Sequence, residues 1–197
     1  MKRTSLAAVL VMVFASSVNA QIPAAAPESI LDASPFRIQV WGDLESDFGS
    51  LVSSYDKLRG RLEKGLPALT VTTNPAAIGA AQLGLANRIR AARAGATEGE
   101  IFTAAVRVTF KKLLILEVDE GTLAAIMEDN PGEFAHPING TYPNGQPFAT
   151  MPVNILAALP QLPADLEYRF IGHHLILVDT RANVILDRMP CAIDCAR

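Results

Sequence analysis

The chain predicts an α+β fold: an N-terminal helical region packed on a small C-terminal antiparallel β-meander. Three observations predict it. Leu166 to Asp187, LEYRFIGHHLILVDTRANVILD, divides into three short strand-like runs separated by turn residues. Leu44 to Asp129 carries apolar residues at helical spacing, punctuated by cap and stop signals. A three-stranded meander is marginal alone, so a helical layer must cover at least one of its faces.

In the first strand Leu166, Tyr168 and Phe170 alternate with Glu167 and Arg169, the period of a strand with one face buried. Gly172-His173 suits a two-residue hairpin turn, because glycine accepts the positive φ needed at the first position. His174 to Val178 is apolar on both faces and reads as a central strand covered on both sides. Asp179 to Asn183 makes a second turn, and Val184 to Asp187 is the third strand, ended by Pro190.

Residues 1–20 read as a signal peptide. Lys2 and Arg3 form a basic start, Leu6 to Ala15 is an apolar run too short to span a bilayer, and Val18-Asn19-Ala20 offers a cleavage site. Residues 21–43, rich in Pro and Ala at first, form an extended leader in which Phe36 to Trp41 alternates like a short edge strand. Residues 44–190 make a single α+β domain, and 191–197 a frayed tail.

The first helix is expected over Leu44 to Lys64, with Leu44, Phe48, Leu51, Val52, Tyr55, Leu58 and Leu62 on one stripe. Asn74-Pro75 is an N-cap and first-turn pair for a second helix to about Ala94, with Ile78, Leu85, Ile89 and Ala92 inward. Thr103 caps a third helix to Glu117, with Val106, Phe110, Leu113 and Leu114 inward. A short fourth helix covers Glu120 to Asp129. From Asn130 to Pro152 the chain is dense in Pro, Gly and Asn, an ordered loop with a small hairpin at Asn139-Gly140. Val153 to Leu159 is a last short helix.

Several function classes are disfavoured. The net charge is −3, and −5 without Lys2 and Arg3, which argues against nucleic acid and anionic membranes as partners. No run after the signal peptide is long and apolar enough to span a membrane, so the mature chain is expected to be soluble and exported, periplasmic or extracellular. No G-x-S-x-G elbow accompanies Ser50, Ser53 or Ser54. Gly84, Gly95 and Gly99 fall at helix or helix-end positions and make no phosphate-binding loop, so no cofactor is expected.

The blocks GEIFT (Gly99 to Thr103), ATMP (Ala149 to Pro152), LEYRFIG (Leu166 to Gly172) and LILVDTRANVILD (Leu175 to Asp187) resemble those of a group of uncharacterised secreted bacterial proteins. The resemblance covers roughly Asp47 to Pro190 and implies no activity. The ending alone also resembles the last hairpin of small periplasmic accessory proteins of nickel and cobalt efflux, over about twenty residues.

Candidate chemistry is sparse. His173 and His174 are adjacent at a turn, so their side chains diverge, and a metal site would also want His136. They read as solvated turn residues. Cys191 and Cys195 have neither zinc-ribbon nor C-x-x-C spacing; in an oxidising compartment they can pair locally in a small disulfide loop. The loop His136 to Met151 is the best candidate surface, with His136, Tyr142 and Phe148 as binding residues, since long Pro- and Gly-rich loops tend to be functional. Tyr142 and Phe148 can equally anchor the loop on the core. The expected function is therefore a non-catalytic exported module that binds a partner protein or small ligand. A periplasmic metal-handling accessory protein using His173 and His174 is the alternative, and a hydrolase with a site assembled from distant residues a third.

Overall fold

The computed structural model describes residues 35–66, 74–143, 145–147, 149 and 151–194, without the side chains of 35–41 and 43–45. The signal peptide, most of the leader, Phe148 and Cys195 lie outside these residues.

Five helices precede a three-stranded antiparallel sheet: α1 (Pro35–Leu62), α2 (Pro75–Ala92), α3 (Ala104–Glu117), α4 (Glu120–Glu128), α5 (Val153–Ala158), then β1 (Leu166–Ile171), β2 (His174–Asp179) and β3 (Val184–Met189). The sheet order is β1-β2-β3, so the C-terminal meander stands as predicted. Gly172 takes φ +54° in the first turn, and Asn183 takes φ +51° in the second.

Three helix starts follow their cap chemistry. The Asn74 side chain accepts from the Ala76 N–H ahead of Pro75, Thr103 accepts from Val106, and Asp119 accepts from Thr122. The α3 face is as read, with Val106, Phe110, Leu113 and Leu114 buried.

α1 departs from expectation. It starts at Pro35, so Phe36 to Trp41 is helical and the edge strand expected there is overturned. A six-residue alternating run also satisfies i, i+4 spacing through Phe36 and Val40. Proline at the first helical position pre-sets the backbone, and only Gly42 interrupts the run before Leu44. On α2, Ile78 is exposed and Ala86 takes an inward position with Leu85 and Ile89; Ala92 also faces out.

Helices cover one face of the sheet. Leu166, Tyr168, Phe170, Leu175, Leu177, Val184 and Leu186 join Phe48, Leu85, Ile89, Phe102 and Phe110 in the main core. At its centre four rings from α1, the loop before α3, α3 and β1 pack together. Phe48 lies 5.0 Å from Phe110 and 6.2 Å from Tyr168, and Phe102 lies 5.5 Å from Phe110, between ring centroids.

The opposite face is covered by the loop after α4. Phe134 and Tyr142 pack on Ile171, Ile176, Val178 and Ile185. This is why β2 is apolar on both faces: one side meets helices, the other a loop carrying two aromatic rings. The loop is held at the sheet edge, where Asn139 N–H donates to Ile185 O (2.8 Å), Ile185 N–H donates to Gly140 O (2.9 Å), and Thr141 bridges to Val184. The hairpin expected at Asn139-Gly140 therefore does not form within the loop; this segment pairs with β3. Gly140 is needed there, since a Cβ would sit 2.7 Å from Pro137 O.

The tail also differs from expectation. Ala192 and Ile193 are buried, and both donate main-chain N–H bonds to His173 O (2.9 and 3.3 Å). Two apolar residues at the end of the chain suffice to dock it. Cys191 is disulfide-bonded.

Candidate functional site

The loop layer encloses a cleft of about 480 Å³ against the sheet. Its floor is Val178 and Thr180 at the end of β2, with Arg169 of β1 alongside; its rim is Pro143, Gln146 and Pro147 of the loop, with Gln82 of α2 across from them. Tyr142 shapes the wall. It is only 2 % exposed, its hydroxyl donates to Pro147 O (2.6 Å), and its main-chain oxygen accepts from Asn183 Nδ2 (2.9 Å). These two bonds tie Tyr142 to Pro147 and to Asn183 of the β2–β3 turn. Burial raises the Tyr142 hydroxyl pKa above its ordinary value, with Arg169 opposing, so it stays a neutral donor. The Arg169 guanidinium sits 5.5 Å from the Tyr142 ring centroid and pairs with Glu167 at 2.7 Å.

From α2, Arg90 fixes the loop from outside, with Nε donating to Asn139 O (3.0 Å) and a terminal nitrogen donating to Thr141 Oγ1 (2.6 Å). The cleft is thus built from three elements held by named hydrogen bonds. Gln82, Gln146, Thr180, Asn183 and Arg169 present polar side chains, and among the described lining residues there is no carboxylate, imidazole or thiol.

His136 is not in the cleft. It is 6 % exposed, its Nδ1 lies 2.5 Å from Phe134 O, and its Nε2 is buried with no hydrogen-bond partner among the described residues. Its ring lies 5.3 Å from that of His174, whose Nε2 is 3.4 Å from Glu133 Oε2. The structure therefore brings His136 to His174. No group of three His, Cys, Asp or Glu among the described residues is arranged to hold a metal ion.

Two buried carboxylates escaped the sequence reading. Asp187 is fully buried within β3 and accepts N–H bonds from Gly99 (2.9 Å), Ile101 (2.7 Å) and Phe102 (2.7 Å). A register shift places the extra residue Leu186 in β3 and aims Asp187 at that loop. Asp179 is equally buried. It accepts from the Tyr55 hydroxyl (2.7 Å) and from Ala182 N–H (2.8 Å), with Arg59 Nε at 3.9 Å. Arg59 itself is buried on α1 and also pairs with Asp165 and with Asp56 (2.8 Å). Arg93 lies over the Tyr55 ring at 5.5 Å and donates to Leu186 O (2.9 Å). Acidic residues at strand ends signalled turns, but Tyr55 and Arg59 for Asp179, and Gly99, Ile101 and Phe102 for Asp187, lie more than eighty residues away in sequence and no local pattern marks them.

Burial raises the Asp179 pKa above 3.8, outweighing the bonds from Tyr55 and Ala182 and the attraction of Arg59. A raised folded-state value means that stability linked to this group is present below 3.8 and is lost as pH rises through the folded value. Asp179→Asn keeps an acceptor for Ala182 and a group that can meet the Tyr55 hydroxyl. It should stay within about 1 kcal/mol of wild type at pH 7 and flatten the slope of stability just above 3.8. Asp179→Ala orphans both donors and should cost about 2–4 kcal/mol. Urea unfolding at pH 4.5 and 7 separates the two; equal losses for both variants would contradict the assignment.

No helix among the described residues is long and apolar enough to cross a membrane. No protein-family model, curated protein or solved structure matches the chain.

Proposed function

We propose that the chain is an exported, non-catalytic binding module that takes a small, uncharged polar ligand in the cleft that Tyr142, Pro143, Gln146 and Pro147 form against the sheet. One observation carries this reading: the cleft is walled by side-chain amides, hydroxyls and a guanidinium, with no carboxylate, imidazole or thiol among its described lining. Amide and hydroxyl groups of this kind suit ligands rich in hydroxyls or peptide groups, and the fastened wall keeps the ordering cost of binding small. The basic, apolar, small-residue pattern of residues 1–20 supports export.

The test is thermal and urea stability in the presence of neutral disaccharides and uncharged tripeptides at 10 mM. A ligand present at a hundred times its Kd should stabilise the protein by about 2.7 kcal/mol. Gln146→Ala and Thr180→Val should each weaken binding about five- to tenfold, the loss of one hydrogen bond to the ligand apiece. Thr180→Val also gives up the bond from its hydroxyl to Asp165 O (3.2 Å) and should lower the ligand-free stability by about 1 kcal/mol. If no member of either panel shifts stability, or if the variants bind as wild type does, the reading is wrong.

A further inference from the structure

We infer that His174, with Glu133 and His136, forms a proton-operated latch holding residues 191–193 against the β1–β2 turn. This goes beyond the cleft and is independent of it. Three consecutive main-chain N–H groups converge on the turn: Cys191 donates to His174 Nδ1 (3.0 Å), and Ala192 and Ile193 donate to His173 O (2.9 and 3.3 Å). Accepting at Nδ1 requires that nitrogen to be unprotonated, so the ring proton sits on Nε2, 3.4 Å from Glu133 Oε2.

A second proton can enter His174 only at Nδ1. There it faces the Cys191 N–H, donor against donor, and one side must withdraw. The main chain of the turn is not that side. Asn130 clamps it twice, with Oδ1 accepting from Gly172 N–H (2.8 Å) and Nδ2 donating to Gly172 O (3.0 Å). The yielding partner is the segment 191–193, which is held by these N–H bonds and by the packing of Ala192 and Ile193.

The groups facing His174 are Glu133 and His136 from the loop after α4, the neighbouring His173 of the turn, and the main-chain N–H of Cys191, whose sulfur is in a disulfide. Glu133 stands ready to balance the imidazolium. The His136 ring lies 5.3 Å from that of His174, close enough for a charge on one to be felt at the other. Ala192 and Ile193 form one wall of the hollow of about 380 Å³ that Leu114, Val118 and Leu123 also line, so their release widens it. Opening the latch thus bares the apolar surface on which Ala192 and Ile193 are packed.

Amide hydrogen exchange of the full chain by NMR, corrected for intrinsic rates, tests the latch between pH 7.5 and 5. Protection at Cys191, Ala192 and Ile193 should fall by about tenfold per pH unit below the titration, the effect of one linked proton, while Leu177 keeps its protection. In His174→Asn an amide oxygen takes the place of Nδ1 without titrating, and protection at the three amides should then be level with pH. Unchanged wild-type protection, a fall shared by Leu177, or the same fall in His174→Asn overturns the latch. Ring nitrogen shifts of wild-type His174 give a second reading that needs no variant. Nδ1 must be unprotonated at pH 7.5 and gain its proton together with the amide changes; a protonated Nδ1 at pH 7.5 refutes the proposal.

Discussion

Asp187→Ala should cost about 3–9 kcal/mol and bring the protein close to unfolding at 37 °C. The carboxylate receives main-chain N–H bonds from Gly99, Ile101 and Phe102, and two of these donors belong to buried residues. Truncation leaves them without a partner inside the protein, at about 1–3 kcal/mol each, against a total stability of about 5–15 kcal/mol for a domain. Asp187→Asn retains one oxygen and should lose roughly half as much. The effect spreads because Phe102, fixed by this carboxylate, stacks 5.9 Å from Phe48 of α1. Urea unfolding followed by circular dichroism measures it. A loss below about 1 kcal/mol for Asp187→Ala would mean that water replaces the carboxylate and that the loop before α3 is not held by it.

The second large effect lies in the middle of the sheet. Leu177 is fully buried on β2 and packs in the core shared by the helices and the sheet. Leu177→Asp removes an apolar side chain and places a carboxylate among the apolar side chains of the core. The cost is several kcal/mol even if the group takes up a proton. Loss of helical circular dichroism along with the sheet is the expected result, because α1 and α3 bury their faces on these strands. Wild-type helicity and melting temperature in the variant would show that the helices stand without the sheet.

The elements set by local chemistry were legible in the sequence. Asn74-Pro75 and Thr103 announce helix starts because their side chains satisfy N–H groups a few residues away. Leu166, Tyr168 and Phe170 alternate because one face of β1 meets the core, and β2 is apolar throughout because loop and helices cover both its faces. Features set by distant partners were not legible. Arg59 occupies an inward position on α1 because Asp165 and Asp179 meet it there, and nothing within α1 foretells that. Tyr142 was read as a surface contact or a loop anchor; its hydroxyl bond to Pro147 and its packing on Val178 make it an anchor that also walls the cleft. His136 was grouped with that loop's surface, but Phe134 and Tyr142 turn the loop inward and place it beneath, against His174. The start of α1 was missed because alternation over six residues does not distinguish a strand from a helical turn and a half.

The claim that the cleft is a binding site is tested most directly by amide and side-chain NMR shifts recorded while the protein is titrated with whichever disaccharide or tripeptide stabilises it most. The expected shifts cluster at Gly145, Gln146, Thr180 and Asn183 and at the Arg169 side chain, saturate with one ligand per chain, and vanish in Thr180→Val combined with Gln146→Ala. Shifts centred on the hollow between α3 and α4 or on the β1–β2 turn, or no saturable shifts at all, would contradict it.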